Sequence, residues 1–259
     1  MLKKFIKDVG QALPKRIRHA ILHLGFDIAR EEFDLFAFRY ALAPHMFHGL
    51  RLLRDRGYEP ATIIDVGAFK GDWSRGVHKI WPASKQVMVE PNAAIIPEFA
   101  GAARELGATA IQELLGKEAG AKVEFAVMES GSSVFHENSP LPREVEERML
   151  QTLDSVIDLE RLEGSVLLKL DTQGYELEVL AGGEGVLSKC DMVLLEVSLI
   201  EINKGCPLVD TVIAYLAARD FRACEVIELH RRPLDAAMNQ IDLVFVREDH
   251  PLFSNTSHF

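Results

Sequence analysis

Cysteine is scarce in this chain, and the scarcity excludes two kinds of architecture. The 259 residues contain three, Cys190, Cys206 and Cys224, with no close spacing between them. A disulfide-stapled scaffold needs an even set and a structural zinc needs paired ligands, so neither fits. The three read as small buried hydrophobes, and a reducing cytoplasm is the expected setting. Basic residues are in deficit too: 29 Lys and Arg stand against 39 Asp and Glu, a formal charge of -10. A general nucleic-acid binder needs clustered cations to neutralise phosphates, so nucleic acid is not expected as a partner. Long apolar runs are also missing. No stretch approaches the ~20 residues that span a bilayer. Phe5 to Leu13 is broken by Lys7, Asp8 and Gln11, which argues against a signal peptide. No internal repeat or low-complexity segment is visible.

What is present begins with a basic, amphipathic stretch. Lys3, Lys4, Lys7, Lys15, Arg16 and Arg18 alternate with Phe5, Ile6, Leu13, Ile17, Ile21 and Leu22. Such a helix packs on its own domain, packs on a second subunit in a homo-oligomer, or lies on an anionic membrane. The last option makes residues 1–25 a peripheral contact at the inner membrane surface. Residues 1–57 as a whole read as a helical extension. Pro14 and Pro44 stand where first helical turns begin, and the last helix ends near Gly57.

The character then changes. Short apolar, β-branched runs appear at 62–66, 86–90, 108–115, 122–128, 166–171 and 192–197, with helical segments between most of them. Continuous apolar strands alternating with helices predict a parallel sheet covered on both faces. Phe221 to Leu229 and Ile241 to Arg247 are separated by a connection too short for a crossover helix, so they should pair antiparallel. Residues 58–249 thus form one α/β domain, and 250–259 read as a loose tail.

The first strand ends in Asp65-Val66-Gly67-Ala68-Phe69-Lys70-Gly71. Gly67 and Gly71 allow a tight turn and a close backbone approach to a ligand. A helix starting near Asp72 offers free N–H groups to a ligand carboxylate, and Asp65 is placed to meet a cationic amino group. The second strand ends in Glu90, about 25 residues on, where a carboxylate can accept both hydroxyls of a ribose. Ala68, Asn92, Gln112 and Glu113 complete the candidate cofactor set. A nicotinamide dinucleotide needs G-x-G-x-x-G, and Phe69 stands at the second glycine. The pattern therefore favours an unphosphorylated nucleoside such as S-adenosylmethionine.

These residues resemble the FkbM family of methyltransferases. The resemblance rests on Ile64-Asp65-Val66-Gly67-Ala68 with Gly71, then Glu90-Pro91-Asn92, then Thr152-Leu153-Asp154. It continues with Leu168-Lys169-Leu170-Asp171 followed by Gly174, Glu176, Val179, Leu180 and Gly182, and ends with Leu195-Glu196-Val197. The resemblance implies a Rossmann-like class I methyltransferase sheet, S-adenosylmethionine as donor and O-methylation of polyketides or glycan sugars. Two departures stand out. Phe69-Lys70 replaces a small or polar residue, and Gln173 replaces an acidic or small one. Residues 1–57 carry no matching signature and are candidates for acceptor specificity.

Ligands of open α/β sheets bind beyond the carboxyl ends of the strands, where Asp171 and Glu196 fall. A sugar hydroxyl is weakly acidic and calls for a general base or a metal. Asp171 is the first candidate base and Glu196 the second; together they can instead hold Mg²⁺. The bland alternatives are a helix cap for Asp171 and Thr172 and a structural carboxylate for Glu196. Ser133 and His136, in a segment that overhangs the crevice, are candidate acceptor contacts. His78 is not expected to be a ligand; His230 beside Arg231 and Arg232 reads first as a solvated loop and second as a contact for an anionic acceptor. Two competing functions remain: a methyltransferase for protein or nucleic acid, and a non-catalytic S-adenosylmethionine-binding module of a biosynthetic complex.

Overall fold

The computed structural model describes residues 44–128, 132–135, 143–232 and 234–257. His136 and the amphipathic stretch 1–25 lie outside them. The first described helix, α1 (Met46–Asp55), buries Leu50 and Leu53. Gly49 lets it press on the sheet, because an added Cβ would collide with the Ile227 side chain. The helix at 46–55 is therefore part of the central core, although the sequence assigns it to an extension.

Seven strands form the main sheet: β1 (Thr62–Val66), β2 (Lys85–Val89), β3 (Thr109–Ile111), β7 (Val166–Leu170), β8 (Met192–Ser198), β9 (Phe221–Arg231) and β10 (Met238–Arg247). Their spatial order is β3-β2-β1-β7-β8-β10-β9. The first five run parallel, and β10 is antiparallel to both neighbours. This is the mostly parallel sheet with an antiparallel C-terminal strand that the sequence predicts. One detail differs: the antiparallel strand sits inside the sheet, between β8 and β9. The order reverses between β1 and β7, which places a switch point at their carboxyl ends.

Alternation within the buried strands feeds two cores. Ile64, Val66, Leu168, Leu170, Val193 and Leu195 face one side. Ile63, Leu167, Met192, Leu194, Val244 and Val246 face the other, under α1 and Trp81. Each such side chain contributes roughly 1.5–3 kcal/mol on burial, which is why the runs lack polar alternation. The helices α2 (Asp72–His78) and α3 (Pro97–Leu106) flank the first strands; α4 (Leu153–Val156), α5 (Glu176–Ala181), α6 (Glu184–Lys189) and α7 (Val209–Ala217) follow.

The run at 108–115 is not one strand. It splits into β3 and β4 (Leu114–Leu115), and β4 joins a separate three-stranded sheet with β5 (Lys122–Val127) and β6 (Glu144–Gln151). The C-terminal segment is not loose at its start. Pro251–Phe253 forms a 3-10 turn, Leu252 is buried, and Arg56 Nη2 donates to its carbonyl at 2.8 Å. The three cysteines are free, with Cys190 and Cys206 buried.

Candidate functional site

A cavity of about 150 Å³ opens at the carboxyl ends of β1, β2 and β7. Its lining includes Gly67, Phe69, Glu90, Phe125, Asp171 and Gln173. Gly67 has φ 77. A Cβ there would collide with the Asp171 carbonyl oxygen, so the glycine is what lets the β1 turn touch the β7 turn. Phe69 follows with φ 45. A bulky residue in the left-handed region carries strain, and such strain gathers at functional sites. Glu90 holds this turn: Oε2 accepts from Phe69 N–H at 2.9 Å and Oε1 from Asn92 N–H at 2.8 Å. Its pKa is raised, first by burial, against the lowering effect of those two N–H groups. Each oxygen keeps a lone pair for a further donor.

Other members of the expected cofactor set are placed differently. Gly71 also has a positive φ, 78, but its missing Cβ makes room for Ala102 and Met88. It serves the packing of α2 on α3. The Ala68 methyl is buried among Met88 and Phe99. Asn92 is buried and its Nδ2 donates to Ser132 Oγ at 3.0 Å, leaving Oδ1 without a partner. Glu113 lines the cavity, whereas Gln112 beside it is exposed.

The largest correction concerns Asp65. Its carboxylate does not face the crevice; the residue is 1% exposed. Oδ1 accepts from Lys169 Nζ at 3.0 Å and Oδ2 from Ser74 Oγ at 2.6 Å. The cation it meets is the protein's own. Lys169 is its register partner on β7, and the same ammonium lies 3.6 Å from Asp171 Oδ2. Burial alone would lower the Lys169 pKa, but Asp65 and Asp171 raise it on balance.

Asp171 and Glu196 are brought together, as β7 and β8 are neighbours. Between them lies Gln173, whose Nε2 donates to Asp171 Oδ1 at 3.0 Å and to Glu196 Oε2 at 3.1 Å. Gln240 Nε2 donates to the same Glu196 oxygen at 2.7 Å. A neutral amide thus stands where a shared Mg²⁺ would have to sit. Among the described residues no three His, Cys, Asp or Glu side chains converge as a metal group. Glu196 is shifted upward from its ordinary value, first by burial and then by the neighbouring Asp171 and Asp242.

Glu176, not Asp171, organises the loop before α5. Its Oε1 accepts from Thr172 N–H at 2.8 Å, Thr172 Oγ1 at 3.1 Å and Gly174 N–H at 3.1 Å. Burial pushes its pKa up to about 7 despite these donors. Ser133 lines the cavity, but its Oγ donates to the Gln173 carbonyl at 3.1 Å and accepts from Phe135 N–H at 3.0 Å. It fastens the overhanging segment to the Gln173 turn.

His230 is not in a loop. It lies within β9, one residue before its end, next to Glu196 (3.9 Å), and pairs with the buried Asp242 at 2.7 Å. That hydrogen bond raises its pKa. The sequence reading missed Phe69, Gln173 and Lys169 as site residues. Two of them had a signal, since Phe69 and Gln173 are the departures noted above.

The profile of the methyltransferase FkbM domain matches residues 65–223. No curated protein matches the chain in sequence. Similar solved structures include a methyltransferase FkbM from Methylobacillus flagellatus, at 14% identity and TM-score 0.45 over 71% of this chain and 43% of that one. The chain thus spans less than half the length of that protein. Another is magnesium protoporphyrin IX methyltransferase from Synechocystis with bound S-adenosylmethionine, at 13% identity and TM-score 0.44 over 91% and 98%. A third is a tRNA (m1A22) methyltransferase, so named provisionally, from Streptococcus pneumoniae, at 10% identity and TM-score 0.43 over 78% and 70%.

Proposed function

From the premise that the chain belongs to the methyltransferase FkbM domain family, we propose that it transfers the methyl group of S-adenosylmethionine to a hydroxyl of a sugar, glycan or natural product. The observation that carries this reading is the pairing of Glu90 with the Gly67–Phe69 turn across one cavity. The donor set fits a nucleoside. Glu90 can accept from the two ribose hydroxyls, while Leu114, Leu115, Pro91 and Phe125 give an apolar slot for a base. Gly67 allows the donor's amino-acid half to lie against the backbone, and Asn92 and Glu113 flank the nucleoside end.

S-adenosylmethionine supplies a methyl group on a cationic sulfur, ready for in-line displacement. The residues of this chain then have two tasks. They must hold the acceptor oxygen in line, which is worth much of the acceleration, and they must receive its proton. Asp171 takes both roles in this reading. Asp171 lines the cavity, and its carboxylate is oriented by Gln173 on one oxygen and Lys169 near the other. Glu196 holds Gln173 in place. Among the described residues no helix is long and apolar enough to cross a membrane.

Calorimetric titration of S-adenosylmethionine into the protein and its Glu90→Ala variant tests the reading. Micromolar binding is expected, weakened about 30-fold or more in the variant, equivalent to roughly 2 kcal/mol. A folded wild type that binds no S-adenosylmethionine sinks the proposal.

A further inference from the structure

Asp65 and Lys169 face each other across the switch point, 104 positions apart in sequence, and both are buried. A buried charge is costly unless paired. The pairing here is uneven: one ammonium serves two carboxylates, Asp65 at 3.0 Å and Asp171 at 3.6 Å. Those carboxylates belong to different halves of the site. Asp65 precedes the turn that Glu90 holds and, through Ser74 on α2, fixes the start of the helix that follows it. Asp171 begins the turn that carries Gln173. Nζ also lies 5.4 Å above the ring of Trp73, the neighbour of Ser74. Its two ion-pair partners therefore lead to the two turns that Gly67 brings together.

We propose that Lys169 is a positioning residue of the cofactor site: it satisfies Asp65 from inside the fold, so that Asp65 acts on S-adenosylmethionine only through the Lys169 bridge, and the bridge sets the distance between the donor turn and Asp171. The inference rests on the reading above and deepens it. It departs from the direct role that the motif suggests for Asp65. At 1% exposure, outside the cavity lining and turned to Lys169 and Ser74, the Asp65 carboxylate is out of a ligand's reach. Loss of the bridge would instead let the Gly67 turn and the Asp171 turn drift apart, and near-attack geometry is sensitive to shifts of about 1 Å.

The two roles of Asp65 predict different arithmetic in a double-mutant cycle on S-adenosylmethionine affinity. The four proteins are the wild type, Asp65→Asn, Lys169→Met and the double variant, each checked for a cooperative melt. The charge-free double variant keeps packing and the Ser74 hydrogen bond. If Lys169→Met alone does not fold, Lys169→Gln replaces it, since its amide still donates to Asp65. For a bridge, each single change raises Kd about tenfold, and the double variant is no worse than about tenfold. Multiplication to about a hundredfold would mean that Asp65 touches the cofactor independently, and would overturn the proposal. So would single variants whose Kd stays at the wild-type value while their Tm falls, because that marks a purely structural pair. A folded wild type that fails to bind would remove the functional reading itself, an outcome distinct from either.

Discussion

The two halves of the crevice are built on different principles. On the β1–β2 side the parts that hold the site together are mostly backbone: a left-handed Gly67, a left-handed Phe69, and two N–H groups clamped by Glu90. On the β7–β8–β10–β9 side they are side chains. Asp171, Glu196 and Asp242 crowd together with Gln173, Gln240, His230 and Lys169 to satisfy them. The backbone half can be specified by a short local motif. The side-chain half needs residues from four strands, and its charge state depends on all of them.

Substitutions can break or sharpen this contrast. The largest effect is expected on the backbone side. Gly67→Ala adds a Cβ at φ 77 that meets the Asp171 carbonyl. It should cost on the order of 3–4 kcal/mol in urea unfolding. Gly107→Ala is the control: its φ of 61 is similar but nothing lies within 4 Å, so about 1 kcal/mol is expected. Equal costs at the two positions would show that the close approach of the turns carries no energy.

A middle-sized effect belongs to Glu176. Its native pKa of about 7 exceeds the ordinary 4.5, so the folded protein holds this proton more tightly than the unfolded chain. That contribution is fully present below about 4.5 and is lost as pH rises towards about 7. Glu176→Gln keeps an oxygen for Thr172 and Gly174 and removes the charge. The variant should gain on the order of 2 kcal/mol over wild type at pH 8 and little at pH 4.5. Parallel pH–stability curves for the two proteins would contradict the assignment.

The smallest effect concerns His230, whose native pKa is raised above 6.5 by Asp242. Its pairing stabilises fully below about 6.5 and fades as pH rises through the raised value. His230→Gln should therefore lower Tm by a few degrees at pH 6 and by less at pH 9. The partial exposure of the ring keeps the difference small. A Tm loss that does not change with pH would point to packing instead of charge.

These contrasts also explain what could be read in advance. The buried strands β1, β2, β7 and β8 are visible because both faces are covered and every residue tends to be apolar. β6 is not. Four of its eight residues are charged and only Leu150 is buried, so neither a run nor a clean alternation marks it. The donor motif was legible as a motif, yet its geometry was not. Nothing near Asp65 in sequence says that a lysine 104 positions away will occupy it. The hint lay at the other end: a lone lysine inside Val166-Leu167-Leu168-Lys169-Leu170 needs a buried carboxylate. His230 was misplaced for a similar reason. β9 runs on to Arg231 through residues that are half exposed, and its partner Asp242 is on a strand that folds back beside it.

The interior place of β10 has a consequence for how the molecule comes into being. A ribosome delivers β8 and β9 before residues 238–247 exist. Until then the two strands cannot pair with each other in the final arrangement, and each exposes an unsatisfied edge. Such edges are templates for pairing with other chains. That strand therefore acts as a keystone of the sheet: it fills the gap between β8 and β9 and brings Asp242 and Gln240 beside Glu196.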